Sequence, residues 1–223
     1  MTARYVSDYT GEIKLRSGEE AVLDFGDHLV GNLSYSLTFE GIIQDAPLVL
    51  ELTFGETVRE LVDTDKYCGR LSASWIQTER RQKVFLPDDD FIERRFSFRY
   101  LRIKRVDTVC NTAVIKNIKC DAVTSADISR LPQIKTNDPL LDKIYRTAAL
   151  TLMDCEQSVY EDGPKRDRRL WMGDFRLQAL SDYMTFRNLD LTKKCLYLFA
   201  KHLVDGRIVP QCIYEKSPPF IDR

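Results

Sequence analysis

Apolar and polar residues alternate with period two over the first half of this chain, and over the second half apolar residues recur every three or four positions. A sheet needs the first pattern and a helix the second, so the chain is expected to hold both, one after the other. Leu33, Tyr35, Leu37 and Phe39 alternate with Ser34, Ser36 and Thr38, and Leu48, Leu50, Leu52 and Phe54 repeat the device. Phe96, Phe98 and Tyr100 continue it. The apolar set then moves to Leu101 and Ile103, which requires a bulge or a strand covered on both sides. Turn chemistry separates the runs at Ser17-Gly18, Gly26-Asp27, Glu40-Gly41, Gly55-Glu56, Gly69 and Pro87-Asp88-Asp89-Asp90. Many short strands at such spacing predict an antiparallel β-sandwich between about Glu12 and Val123.

Periodicity vanishes between Ser125 and Asp138, where Pro132, Asn137 and Pro139 mark a linker. The expected division is a sandwich domain over residues 1–132 and a helical domain over residues 133–223. Asn137-Asp138-Pro139 supplies a capping side chain and a proline whose missing N–H costs nothing in a first turn. Leu141, Ile144 or Tyr145, Ala148 and Leu152 then form one apolar stripe, giving a helix to about Cys155. A second helix is expected from Asp174 or Phe175 to about Arg187, with Leu177, Leu180 and Met184 inward. A third spans about Leu191 to Val204, with Cys195, Leu198 and Phe199 buried and Gly206 near its end.

Composition closes off several functions. The formal charge of -1 argues against a general nucleic-acid or anionic-membrane surface, and no run of apolar residues is long enough to cross a bilayer. Met1 to Ser7 lacks the apolar core of a secretory signal, so a cytoplasmic location is expected. Six scattered cysteines and two histidines suggest neither a zinc site nor a disulfide framework, and no metal or cofactor is expected. Asp24-Phe25-Gly26 matches a kinase tripeptide without its companion motifs and reads as a strand ending in a turn. The cations Arg94, Arg95, Arg99, Arg102, Lys104 and Arg105 alternate with apolar residues as a solvated strand face does. Trp75 is either core or a sugar-stacking platform.

The connection from Tyr160 to Gly173 is longer than a helical turn requires, and with Asp174 it gathers Glu161, Asp162, Asp167, Lys165, Arg166, Arg168, Arg169 and Trp171. If Gly163-Pro164 turns the chain, Asp162, Asp167 and Asp174 reach one cleft. Carboxylates accept hydrogen bonds from sugar hydroxyls, an aromatic face covers the apolar side of a sugar ring, and one protonated carboxyl can donate to a glycosidic oxygen. The adjacent cations would set which carboxyl stays ionised. Taken singly, Asp174 reads as an N-cap, Asp167 as a surface ion pair and Trp171 as a residue pinning the loop to the core. Together they point to a sugar site.

The run from Asp162 through Gly163-Pro164, Arg166-Asp167, Arg169-Leu170-Trp171 and Gly173-Asp174 resembles the active-site signature of the α-L-rhamnosidases of glycoside hydrolase family 78. The resemblance implies β-sandwich domains ahead of an (α/α)6 barrel, and inverting hydrolysis of terminal α-L-rhamnosyl linkages without a metal. It implies that Asp167 is the general acid, that Asp162 and Asp174 bind rhamnose hydroxyls, that Arg166 holds the acidic cluster and that Trp171 lines the pocket. The partner implied is a rhamnose-containing glycan or glycoside. The family's base comes from a late barrel connection, and Glu215 is a weak candidate for it here. A twelve-helix barrel needs on the order of 300 residues, and Pro139 to Arg223 has room for three helices. The expected fold is therefore a sandwich followed by the opening helices of an incomplete (α/α)6 barrel. The expected protein is a catalytically weak or inactive portion of such an enzyme, whose exposed apolar helix faces favour self-association. The competing reading is a non-catalytic carbohydrate-binding protein that uses the sandwich and Trp75.

Overall fold

The computed structural model describes residues 2–43, 46–62, 76–213 and 221–222. Trp75, Cys68 and Glu215 lie outside them. The chain separates into two compact units, Tyr5–Ala122 and Val123–Arg223, the latter joined by Met1–Arg4.

In the first unit the strands are β1 (Thr2–Tyr9), β2 (Ile13–Leu15), β3 (Glu20–Glu40), β4 (Leu48–Gly55), β5 (Gln77–Lys83), β6 (Asp88–Phe91), β7 (Phe96–Arg105) and β8 (Thr112–Thr124), with a short helix α1 (Arg59–Val62) after β4. The main path runs β1-β8-β3-β7-β4-β5, with β2 added to β8 and β6 to β3. This is the antiparallel, sandwich-like architecture that the alternation predicts. The long strand β3 organises it by changing partners: residues 20–31 pair with β7, and residues 31–40 pair with β8. Gly31 sits at the exchange, where a Cβ would collide with the Asp121 carbonyl and the Ala122 Cα, so only glycine fits.

Leu33, Tyr35 and Leu37 from β3 and Leu50, Leu52 and Phe54 from β4 all face the core, as their alternation requires, while Phe39 is only half-buried. Phe54 stacks on Phe96 at 3.7 Å between ring centroids. The move of the apolar set from Phe98 to Leu101 coincides with a register irregularity opposite it, between Asp24 and Leu29 of β3. Asp24-Phe25-Gly26 lies inside that irregularity rather than at a strand end. Gly26 takes φ of 79° there, the Asp24 carboxylate accepts from the Gly26 N–H, and the strand continues beyond it. Gly26-Asp27 is thus a kink within β3 and not a turn between strands.

Arg105 departs from the solvated face expected for it: it is fully buried. Its guanidinium donates to both carboxylate oxygens of Asp107, to the backbone carbonyls of Leu15, Val109 and Asn111, and to the Asn111 side chain. It shares the inner face of β7 with Leu101 and Ile103 by period two, and there the full set of acceptors makes a buried cation tolerable.

In the second unit the helices are α2 (Pro139–Cys155), α3 (Met172–Asp182) and α4 (Leu189–Lys201), with short strands β9 (Leu170–Trp171), β10 (Cys212–Ile213) and β11 (Ile221–Asp222) in the order β11-β10-β9. Asp138 caps α2 through the Leu140 N–H and Pro139 opens it, as the sequence predicts. The inward faces of α2 and α3 are only in part those expected: Leu152 of α2 packs against a buried cluster, and the other buried residues are different ones. Ala149 and Met153 of α2 pack with Ala126 and Phe186, and Phe175 and Ala179 of α3 pack with Tyr160, Leu191, Cys195 and Phe199. Leu141, Ile144, Leu177, Leu180 and Met184 are instead more than half exposed, Met184 by 74%. Each helix carries two apolar stripes, and the residues of this unit bury only one. Burial raises the Cys155 thiol to about 12 and the Cys195 thiol to about 11, so both stay protonated and structural. Among the described residues, no helix is long and apolar enough to cross a membrane.

The sandwich-like unit holds a second buried ion cluster. Asp90 accepts from Tyr35 Oη at 2.8 Å, from Arg81 Nε and Nη2 at 2.8 and 2.7 Å and from Lys83 Nζ at 2.9 Å. Burial alone would raise its pKa, but the donors from Arg81, Lys83 and Tyr35 outweigh it and hold the carboxyl at about 2. A folded-state value below the ordinary 3.8 means that the contribution is present above about pH 4 and lost as pH falls towards 2. We predict that Asp90→Asn costs about 3 kcal/mol at neutral pH and removes part of the acid dependence between pH 4 and 2. Urea titrations of both proteins across that range check this; parallel curves would contradict it.

Candidate active site

The connection from α2 to α3 is a closed ring rather than an open loop. The Asp162 N–H donates to the Arg169 carbonyl at 3.0 Å, and the Arg169 N–H returns to Asp162 Oδ1 at 3.0 Å. Inside the ring, Arg168 Nε donates to the Pro164 carbonyl at 2.7 Å and the Arg168 N–H to the Arg166 carbonyl at 2.7 Å. Gly163-Pro164 does turn the chain, and Asp167 and Arg168 occupy the left-handed region with φ of 60° and 54°. Two adjacent non-glycine residues in that region hold the tip in a sparsely populated backbone conformation. The ring is anchored on both sides. The Glu161 N–H donates to the Cys155 carbonyl at 2.9 Å, Gln178 Nε2 of α3 donates to the Glu161 carbonyl at 2.7 Å, and Leu170 and Trp171 pair with Ile213 and Cys212 of β10.

This arrangement brings Asp162, Asp167 and Asp174 into one electrostatic field. Burial raises the proton affinity of Asp162, and the charges of Asp167 and Asp174 push the same way, against the Arg169 and Gly163 N–H groups that favour its ionised form. Asp167 is exposed at the ring's tip, with Arg166 Nε 4.0 Å from its carboxylate. Asp174 is exposed in the first turn of α3 and is not the N-cap; that place belongs to Trp171, which makes no capping bond and is half-buried. Asp162 also lines an open apolar groove of about 720 Å³ between α2 and α3, with Ala148, Leu152, Leu177 and Met184 among its other walls.

Beneath the ring lies a polar cluster that the sequence reading passed over. Glu156, Tyr160 and Asp182 are all completely buried. Tyr160 Oη donates to Asp182 Oδ2 at 2.9 Å and lies 3.1 Å from Thr192 Oγ1. The Asn188 N–H donates to Asp182 Oδ2 at 2.8 Å, and Asn188 Nδ2 to Glu156 Oε2 at 3.1 Å. A signal was present: Phe175, Ala179, Asp182 and Phe186 follow helical spacing, as do Ala149, Met153 and Glu156, so each acid sits on a buried stripe.

The strands are thus followed by helices whose first connection, together with the first turn of α3, gathers Asp162, Asp167 and Asp174. Residues 2–122 match the glycosyl hydrolase family 78 alpha-rhamnosidase N-terminal domain, and residues 129–216 match the bacterial alpha-L-rhamnosidase 6 hairpin glycosidase domain. The chain belongs to glycoside hydrolase family 78. It is similar to a rhamnosidase from Klebsiella oxytoca solved with rhamnose bound, at 41% identity and a TM-score of 0.87, over 94% of this chain and 41% of that one. An alpha-L-rhamnosidase of Formosa agariphila is 31% identical over 102 residues, which cover 44% of this chain and 10% of that protein. The fold alone is shared with a family 78 rhamnosidase of Bacillus sp. GL1, at 19% identity and a TM-score of 0.62 over 80% of this chain and 17% of that one. The chain thus spans less than half the length of these relatives.

If the reciprocal bonds between Asp162 and Arg169 close the ring, Asp162→Ala should speed amide exchange at Arg169 about fivefold to tenfold, for a bond worth about 1–1.5 kcal/mol. Asp162→Asn keeps an acceptor oxygen and should leave the exchange rate near that of the parent. Equal rates in all three proteins would show that the ring is held otherwise.

Proposed function

We propose that the chain supplies the sandwich, the general acid and part of the sugar site of an α-L-rhamnosidase acting on terminal α-L-rhamnosyl linkages with inversion. The observation that carries this reading is the closed ring with three carboxylates in one field, in a chain 41% identical to a rhamnosidase that holds rhamnose. In this reading Asp167, exposed at the tip, protonates the glycosidic oxygen. Asp162 and Asp174 accept hydrogen bonds from rhamnose hydroxyls. Trp171 covers the apolar side of the ring, and Arg166 restrains the Asp167 carboxylate. Asp162 Oδ1 is already bound to Arg169, so its other oxygen faces the sugar.

Inversion needs a second carboxylate to activate water on the opposite face, roughly 6.5–9.5 Å from the acid. We assign it to a later connection of the six-hairpin domain, of which α2, α3 and α4 are the first helices. The chain by itself then shows little or no turnover. The exposed stripes of α2 and α3 supply the surface through which isolated copies self-associate.

The test is rhamnose binding by calorimetry beside turnover of an aryl α-L-rhamnoside. Binding should weaken at least tenfold in Asp162→Ala and in Asp174→Ala, each loss corresponding to about 1.5–3 kcal/mol for a charge-assisted bond. Turnover should be at background with or without Asp167→Asn. Binding that survives both alanine substitutions would remove the sugar site from the ring. Turnover abolished by Asp167→Asn would confirm the acid and overturn the need for a base elsewhere.

A further inference from the structure

The buried acids beneath the ring pose an accounting problem. Glu156 and Asp182 come from the end of α2 and the end of α3, and Asn188 bonds to both, its N–H to Asp182 Oδ2 and its Nδ2 to Glu156 Oε2, which brings the two buried carboxyls into one pocket. Two carboxylates cannot both be ionised there without a cation, and burial, the Asp182 charge and the Asn188 amide are what act on Glu156 among the described residues. The donors around them decide which acid carries the charge. Asp182 Oδ2 accepts from Tyr160 Oη and from the Asn188 N–H, two donors on one oxygen. Among the described residues, Glu156 Oε2 accepts from Asn188 Nδ2 and from no second donor. The remaining oxygens, Glu156 Oε1 and Asp182 Oδ1, are buried and without another partner.

We infer that one proton sits on Glu156 Oε1 and is donated to Asp182 Oδ1, and that this protonated pair positions the acid-bearing ring by fixing Tyr160, from which residues 161–169 depart. The proton satisfies both orphan oxygens in a single bond and leaves one net charge in the pocket, on Asp182, which already has the better donors. Asn188 bridges the two acids while its own side chain accepts from the Leu191 N–H, so the pair also ties the start of α4 to the ends of α2 and α3. Tyr160 Oη is oriented by Asp182 on one side and Thr192 on the other. Glu156 and Asp182 touch neither sugar nor acid in this scheme; they act through Tyr160 as positioning residues.

Among the described residues, the groups that bond to the two acids are neutral: Thr124 at the end of β8 and Ser125 on the Glu156 carbonyl, Tyr160 at the ring's base on Asp182, Thr185 on the Asp182 carbonyl, and Asn188, the N-cap of α4, on both acids. The exposed residue Arg187 meets the Asp182 carbonyl through its backbone N–H, and Asp154 and Glu161 act on the neighbouring Cys155. Lys194 of α4 spends its ammonium on the Ser158 carbonyl. Burial first, and then the Asp182 charge, raise the Glu156 carboxyl to about 8, against the Asn188 amide. The folded chain thus keeps a proton that the unfolded chain releases near 4.5, so this group's contribution to stability falls as pH rises between about 4.5 and 8. Above that range the proton leaves to solvent and two charges share one dry pocket.

The bearing on rhamnose rests on the function proposed above; the shared proton does not. Infrared spectra of the whole chain should show a protonated-carboxyl carbonyl band at pH 6 that titrates away near pH 8 and is missing in Glu156→Gln. The glutamine keeps an N–H for Asp182 Oδ1 without titrating. Its thermal midpoint should therefore fall less between pH 6 and 9 than that of the parent, and rhamnose affinity, which in the parent should drop severalfold across the same range, should stay flat. A band that persists in Glu156→Gln, or no band at all, would overturn the shared proton; so would parallel thermal curves. If the variant fails to fold, the titration of the parent's band decides alone. If rhamnose binds at no pH while the band behaves as expected, the sugar-site reading fails and the proton pair stands.

Discussion

Tyr160 is held at its hydroxyl by the buried acid Asp182, and the candidate site hangs from that bond. The residue is completely buried, its ring packs against Phe175, and its oxygen reaches Asp182 at the far end of α3. Because Tyr160 lies two residues before the ring, the bond transmits the packing of three helices to the acids a few residues on. The ring then closes on itself through Asp162 and Arg169, anchored at Glu161 and at Leu170 and Trp171 while its strained tip stays exposed.

The two units handle buried charge in opposite ways. In the sandwich-like unit two buried clusters pair opposite charges: Arg105 with Asp107, and Asp90 with Arg81 and Lys83. Such clusters are fully ionised at neutral pH and are lost only in acid. In the helical unit acid faces acid, and one of the two charges is removed with a proton instead of being met by a cation, which makes that unit sensitive to alkali. The contrast places the pH-dependent element beside the site and leaves the scaffold strand network unaffected across the same range.

Much of this was legible in the sequence because it rests on local patterns. The alternation in β3 and β4 marked Leu33, Leu37, Leu52 and Phe54 as core. Asn137-Asp138-Pro139 marked the start of α2 to the residue, and Gly163-Pro164 marked the turn that draws Asp162 and Arg169 together. What was not legible depended on tertiary context. Arg105 looks like the other cations of β7 until the acceptors of Asp107, Val109 and Asn111 surround it. The apolar stripes of α2 and α3 offered two faces each, and the more conspicuous one, through Leu141 and Ile144 in α2 and Leu177 and Leu180 in α3, is the one left exposed. Asp182 and Glu156 were hidden because an acid on an apolar stripe is ordinarily read as the edge of that stripe. The assignment of roles to Asp162, Arg166, Asp167, Trp171 and Asp174 came from their motif and not from any pattern of burial.

The central claim is that the ring between α2 and α3 is where this chain holds rhamnose. A crystal structure of the chain with rhamnose tests it most directly. The account predicts sugar hydroxyls within about 3 Å of the Asp162 and Asp174 carboxylates, the Trp171 ring alongside the sugar and the Asp167 carboxyl facing the anomeric oxygen. Rhamnose seated on the sandwich-like unit, with the ring at residues 162–169 unoccupied, would contradict it.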